Sequence, residues 1–388
     1  MYSDEIRDSL LKDNFDFSNV IERLINNFYE EIVTEQSQQI LSVAFNDALT
    51  QEELNSYLAS WDIEENTAHK AMLIAYAMKL HPELVFPKDM QPRLTGLLKF
   101  YRFQNLRLIS HFTKVCKALN QKQIFPMILK GGAMKFLRPE LSRVMGDIDI
   151  LVHQEEYAAA GEIARELGYF FEEKKEMHAI DLHLSAEDES GILDIHRWLD
   201  LNAEYDHKFT DTFFTRAKLQ KVFGADVYVP RAEDIVFVAL VNMSKNLTRK
   251  TSMNGILYTL FDCKYLLQKN ADFDWNIVIN NAKATHTEMH IYFAINFINK
   301  IIPSLLPAQL FEHNNIVACF EDYCYKLMYY RFYLEGIRTT CRQIKIGKAL
   351  TSVKVMGQYL KYKPKYVLLK SIRNNVWAIK KFFKLRLR

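Results

Sequence analysis

ILKGGAMKFLRPELSRVMGDIDILV, residues 128–152, decides how this chain of 388 residues is read. Its second half ends in Ile148, Ile150, Leu151 and Val152, which favour strands, and strand side chains alternate between two faces. The alternation predicts that Asp147 and Asp149 point one way while Ile148 and Ile150 enter a core. Two carboxylates on one strand face repel unless a cation lies between them, and hard oxygen ligands suit Mg²⁺. A solvated strand face is the alternative, because DxD alone is a weak signal. In the first half, Met127, Ile128 and Leu129 read as a short strand that stops at Gly131-Gly132, and Ala133 to Leu137 reads as helix. Strand, glycine turn and helix N-terminus let backbone N–H groups approach an anion. Neither GxxxxGK[ST] nor GxGxxG is present, and a glycine pair equally serves as an ordinary tight turn.

Gly131-Gly132, a short helix, then Asp147-Ile148-Asp149 resembles the signature of the DNA polymerase beta-type nucleotidyltransferase superfamily. More narrowly, LKGGAMKFL followed by RVMGDIDILV resembles a bacterial family of uncharacterised nucleotidyltransferases, and LDIHRWLD (residues 193–200) and PRAEDIVFVALVNMSKN (residues 230–246) agree with it. The resemblance spans Trp61 to Gln268. It implies Mg²⁺- or Mn²⁺-dependent transfer of NMP from an NTP such as ATP to an acceptor, with release of pyrophosphate. Asp147 and Asp149 are then metal ligands and catalytic groups, and the backbone at Gly131 and Gly132 meets the phosphates. Lys130 and Arg143 are candidate charge partners for those phosphates, with a solvated surface role as the alternative. The superfamily's third carboxylate, on a neighbouring strand, falls by pattern on Asp194 within Ile192-Leu193-Asp194-Ile195. Asp181 and Asp200 are its rivals. The family more often carries Glu where Asp194 stands, and residues 133–146 make a slightly longer interval before the aspartates than the superfamily usually shows.

Around this segment the periodicity predicts an α+β fold: a small mixed sheet with helices, flanked by N-terminal and C-terminal helical regions. Residues 1 to about 122 are helical in pattern, in VIERLINNFYEEIV, QQILSVAFNDAL, AHKAMLIAYAMKL and a long run from Arg93 to Leu119. Pro82, Pro87 and Pro92 place a boundary near residue 90. The expected division is a helical region over 1–92, a nucleotidyltransferase core with its lead-in helix over 93–229, and a second helical region over 230–388. Within the core, Glu155 to Leu167 reads as a helix ended by Gly168. Tyr169–Glu173, Ala179–Ser185 and Ile192–Trp198 read as strands, and LQKVFGADVYV as a hairpin turning at Gly224-Ala225.

Charge is unevenly placed. The net value is +3, yet no Asp or Glu follows Glu335, and 15 of the 50 Lys and Arg fall in Gly336 to Arg388. The preceding residues carry 35 basic against 47 acidic groups, a formal −12. In that basic tail Leu369, Ile372, Val376, Ile379, Phe383 and Leu387 recur at helical spacing among lysines and arginines, the pattern of a basic amphipathic helix. An anionic membrane surface, the chain's own acidic body and nucleic acid are its three candidate partners, in that argument nucleic acid least. No apolar run reaches membrane-spanning length and the acidic start is the wrong sign for a signal peptide, so the expected location is the cytoplasm, with the inner membrane face as a peripheral site.

Five scattered cysteines with no CxxC pair indicate neither a disulfide framework nor a structural zinc site. His153, His178, His183 and His196 lack HxxxH and HExxH spacing and read as satisfied polar contacts, although His196 shares Asp194's strand face and could orient an acceptor. Three functions follow: NMP transfer to a small molecule, glycan precursor or protein; toxin-type modification of RNA or tRNA; or a non-catalytic nucleotide-binding or scaffolding role.

Overall fold

The computed structural model describes residues 33–59, 61, 68–139, 144–171, 179–185, 192–199, 201, 206–248 and 253–307, with single positions near the two ends. Leu24–Phe311 forms one compact unit; Met1–Arg23 with Glu312–Arg388 groups separately and lies almost wholly outside the described residues. The basic tail, the lead helix VIERLINNFYEEIV over most of its length, Arg143, His178 and Asp200 fall outside them too.

From residue 33 on, the described residues begin with three helices, α1 (Glu35–Phe45), α2 (Gln51–Ala59) and α3 (Ala68–Leu80), followed by the 32-residue α4 (Met90–Gln121). Thr34 starts α1 by accepting the Ser37 N–H at 3.2 Å, the usual way of satisfying an orphan donor. Pro92 sits in the first turn of α4, where a missing N–H breaks no helical bond. The core continues with β1 (Met127–Ile128), α5 (Lys130–Leu137), β2 (Ile148–Leu151), α6 (Tyr157–Glu166), β3 (Ala179–Leu182), β4 (Leu193–His196), α7 (Asp206–Arg216), β5 (Lys218–Val222) and β6 (Ala225–Val229). Four helices follow: α8 (Ala232–Thr248), α9 (Met253–Lys269), α10 (Trp275–Thr285) and α11 (Glu288–Ile301). The fold is thus α+β, with eleven α-helices among the described residues.

The six strands make one mixed sheet in the order β3-β4-β2-β1-β6-β5. The pairs β2–β4 and β1–β6 are parallel and the others antiparallel. The central strands are apolar and buried throughout, apart from one aspartate, as expected where a strand is covered on both faces. α4 packs on β6, β2 and β4, and α6 packs on α4 and β4. Gly168 ends α6 with φ +87°, the left-handed C′ position expected of it.

The hairpin turns one residue earlier than the sequence suggests. Val222 pairs with Ala225, so Phe223 and Gly224 are the two loop residues, with φ 49° and 89°. Two successive positive φ values match the right-handed strand twist. Phe223 accepts this conformation because its ring is held edge-on by Phe112 at 6.0 Å and Phe136 at 6.2 Å. Of the expected strand Tyr169–Glu173, only a bridge between Phe170 and His183 is present among the described residues.

Buried polar ties join the helical parts to the sheet's own. Asp234 on α8 is fully buried; its Oδ1 accepts from Arg216 Nη2 of α7 at 2.6 Å and from Asn281 Nδ2 of α10 at 2.9 Å. Burial pushes its carboxyl up despite the Arg216 charge. Lys264 on α9, also buried, donates to the Phe45 carbonyl at the end of α1 at 2.5 Å and to Asp47 at 2.8 Å. A cation at a helix C-terminus meets its unpaired carbonyls and the negative end of its dipole.

Removing one member of the α7–α8–α10 tie leaves polar groups buried without their acceptor. Asp234→Ala is expected to cost about 3 kcal/mol, read as a lower urea midpoint at unchanged slope. By contrast, Asp226 pairs with Lys221 at 3.6 Å on the exposed hairpin, and Asp226→Ala should cost less than about 0.5 kcal/mol in the same measurement.

Candidate active site

Parallel pairing of β2 with β4 sets Asp149 directly beside Asp194, and antiparallel pairing of β4 with β3 sets Asp194 beside Asp181. Registered neighbours project from the same face, so three adjacent strands carry a row of aspartates. Asp149 is 5% exposed, whereas Asp194, Asp181 and Asp147 are half-buried. Asp147 lies one residue ahead of β2, at the strand's mouth. Along β4, His196 follows Asp194 by two positions and is itself 4% exposed. Its Nε2 lies 2.9 Å from Asp149 Oδ1.

The opposite wall comes from the β1–α5 junction. Leu129 donates its N–H to the Asp149 carbonyl at 2.9 Å, which closes β1 against β2. The chain then reverses at Lys130, whose φ of 44° lies in the left-handed region, at a cost of order 1 kcal/mol for a residue with a Cβ. This reversal sends the Lys130 ammonium to Asp149 Oδ1, 2.5 Å away. Asp149 therefore receives two donors on one oxygen, from β4 and from the start of α5.

Opposed effects set the ionisation of this pair. Burial pushes the Asp149 carboxyl up, but the Lys130 charge and the His196 hydrogen bond together hold it well below the ordinary carboxylate range. Burial also works against the Lys130 ammonium, yet Asp149, and then Asp147 and Asp194, keep it protonated above its usual range. All three carboxylates that the sequence singles out thus act electrostatically on one cation.

The glycines play a different part from the turn read in the sequence. Gly131 and Gly132 lie inside the first turn of α5, both buried, and Lys130 rather than either glycine makes the reversal. A Cβ on Gly132 would stand 2.9 Å from Ile148 Cγ2 and 3.0 Å from Ile128 Cδ1 and Cγ1. The missing side chain lets α5 press onto β1 and β2. The N–H groups of a helix's first turn have no helical acceptor and carry the positive end of its dipole, and α5 starts at Lys130, whose ammonium reaches Asp149.

Among the described residues, Asp149, Asp194 and His196 offer one ligand atom each within 4.8 Å of one another. Two carboxylates and an imidazole in a largely buried cleft fit a small divalent ion by donor chemistry. Asp147 is not in this closest set. Of the other histidines, His153 stacks on Phe214 at 4.0 Å with Nδ1 3.3 Å from Asp211, the satisfied contact expected of it. Cys116 and Cys263 are free and buried. Beyond the carboxyl ends of β2 and β4 a cavity of about 250 Å³ is lined by Gln154, Glu155, Arg197, Trp198, Thr210 and Asp211.

The sequence offers His196 as an orienting residue for an acceptor, and Lys130 as a phosphate partner or a solvated surface charge. Alternation along β4 is the signal that puts His196 on the acidic face, but only the β2–β4 register shows that it reaches Asp149. No local signal announces a left-handed lysine.

A largely buried acidic row beside a helix start, on a mixed sheet, has the donor set for a divalent ion. The particular class follows from comparison: the profile of the uncharacterised nucleotidyltransferase family matches residues 67–303. This chain belongs to that family, and so to the nucleotidyltransferases. No curated protein matches it. Among solved structures, the solution structure of the antibiotic-resistance factor ANT(2'')-Ia is 15% identical at a TM-score of 0.33, over 45% of this chain and 89% of that one. The crystal structure of an antigenic nucleotidyltransferase-like protein from Paracoccidioides brasiliensis is 11% identical at a TM-score of 0.27, over 46% of this chain and 96% of that one.

Although Ala is the better helix former, Gly132→Ala must displace two β-branched core side chains and is expected to lower stability by about 1–2 kcal/mol, seen in urea unfolding. The ionised Asp149 makes a second expectation. A folded pKa below the unfolded value contributes stability that is complete above the unfolded value and is lost as pH falls through the folded one. In chelator-treated protein the loss of unfolding free energy below about pH 4 should therefore be shallower in Lys130→Met than in the wild type.

Proposed function

We propose that this chain transfers NMP from an NTP to an acceptor hydroxyl with Mg²⁺ or Mn²⁺, releasing pyrophosphate. One observation supports the reading above others: Asp149 and Asp194 stand side by side on parallel strands, next to the start of α5, in a member of a nucleotidyltransferase family. Asp149, Asp194 and Asp147 are the residues that would hold the divalent ions, with His196 within reach of the first two. A divalent ion held by these residues would supply charge neutralisation of the polyphosphate and a lower pKa for the acceptor hydroxyl.

The chain's own groups do the rest. Asp194, half-buried in the middle of the row, accepts the acceptor's proton. The Gly131 and Gly132 N–H groups face the β- and γ-phosphates, where the α5 dipole favours negative charge. Lys130, at the same turn, has a stem long enough to reach a phosphate oxygen, and Arg143 is a further phosphate partner on sequence grounds. His196 orients Asp149 and closes its inner side to water. The cavity beyond His196, with Gln154, Glu155 and Asp211 as hydroxyl acceptors and Trp198 as an apolar wall, is the seat of a small acceptor. A body of formal charge −12 favours a small molecule, glycan precursor or protein over RNA.

In this reading residues 93–229 carry the chemistry and the helical regions 1–92 and 230–388 support it. The basic tail from Gly336 to Arg388 brings the enzyme to anionic lipid at the inner face of the membrane. No helix among the described residues is long and apolar enough to cross a membrane.

Incubation with each α-labelled NTP, Mg²⁺ or Mn²⁺ and a lysate should label a non-RNA acceptor, and Asp149→Asn should reduce the signal by at least about a hundredfold. Undiminished labelling by Asp149→Asn refutes the site, and label confined to RNA overturns the choice of acceptor. For the tail, full-length protein should sediment with anionic vesicles while a chain truncated after Lys363 should not; equal pelleting removes the lipid role.

A further inference from the structure

We propose that Lys130 is an internal counter-ion of the carboxylate site: a bare divalent ion has to displace it, a bound polyphosphate draws it away, and ion and nucleotide therefore load together. The inference rests on the nucleotidyl-transfer reading and adds a gate to it. Asp149 Oδ1 is held by Lys130 Nζ at 2.5 Å and by His196 Nε2 at 2.9 Å. An ion using that carboxylate would bind at roughly 2.1 Å, within a few ångströms of a fixed ammonium, and like charges at that range repel strongly in a poorly hydrated site.

The ammonium has somewhere to go. About a third of the Lys130 side chain is exposed, 34% against 7% for Asp149, so the head can swing outward while the carboxylate stays buried. Its backbone is fixed by the left-handed turn and by Leu129 bonded to Asp149. Only the four-carbon stem has to rotate. Lys130 is also the first residue of α5, adjoining Gly131 and Gly132. A triphosphate at that helix start would present oxygens to the same ammonium, giving the lysine an anion in exchange for the one it releases. Lysine is suited to such an exchange, since a compact charge on a flexible stem has no fixed docking plane. Without nucleotide, the Lys130 ammonium offsets the buried Asp149 carboxylate.

The test measures Mn²⁺ binding to the full-length chain without nucleotide, from the loss of the free-ion electron paramagnetic resonance signal. Lys130→Met keeps the stem and removes the charge. It should bind Mn²⁺ at least about tenfold more tightly than the wild type, the effect of removing one adjacent like charge, and adding Asp149→Asn should abolish the gain. Equal or weaker Mn²⁺ binding by Lys130→Met overturns the proposal. Should that variant fail to fold, wild-type Lys130 is followed by acylation with a small amine reagent and mass spectrometry. Mn²⁺ alone should raise its labelling rate at fixed pH, and Mn²⁺ with tripolyphosphate should lower it again; a rate indifferent to both overturns the gate. Asp149→Asn in the labelled-NTP assay separates the two ideas: if it abolishes transfer while Lys130→Met leaves ion affinity unchanged, only the gate fails.

Discussion

One buried carboxylate organises this molecule's centre. Ionised Asp149 could not remain among Ile148, Ile150 and Leu151 without partners, because an unpaired charge in such surroundings protonates or unfolds the site. Its partners come from different elements: Lys130 from the start of α5, His196 from the end of β4. Meeting both demands sets the β2–β4 register, since a slip by one residue would turn His196 and Asp194 to the opposite face. It also accounts for a lysine in the left-handed region, a conformation retained where surrounding contacts over-determine it.

Structure and chemistry share residues here. Gly132 is small because Ile128 and Ile148 lie against it, and that close approach carries the N-terminus of α5 to the aspartates. His196 fills space beside the core and at the same time supplies a nitrogen within reach of two carboxylates. Such double use is economical on a four-residue strand, where only two side chains face each way.

Away from the site, stability rests on apolar burial fastened at a few polar points. Arg216, Asp234 and Asn281 lock three helices, and Lys264 holds α9 to the end of α1. Each tie joins segments far apart in sequence, so each forms only once the helices have packed. The sheet and its flanking helices thereby present a settled frame to the aspartate row.

Periodicity and residue type were enough to indicate the α+β class, the long helix before the core and the apolar-acidic alternation at Asp149 and Asp194, and the motifs around Gly131-Gly132 and Asp147-Ile148-Asp149 carried the resemblance to a nucleotidyltransferase family. These are legible because they are local: a strand's two faces follow from its backbone period, and Gly168 ends a helix wherever it stands. What the tertiary structure alone decided is how distant segments meet. Parallel pairing put Asp194 rather than another carboxylate beside Asp149 and brought His196 to the Asp149 carboxylate, while the left-handed turn after β1 sent Lys130 to that oxygen, where the sequence offered it a phosphate or a solvated surface role. The turn at Phe223-Gly224 and the helical setting of Gly131-Gly132 belong to the same category, since ring contacts with Phe112 and Phe136 and the press of Ile128 and Ile148 come from across the fold. Cross-strand register and side-chain packing are non-local, and no window of sequence contains them.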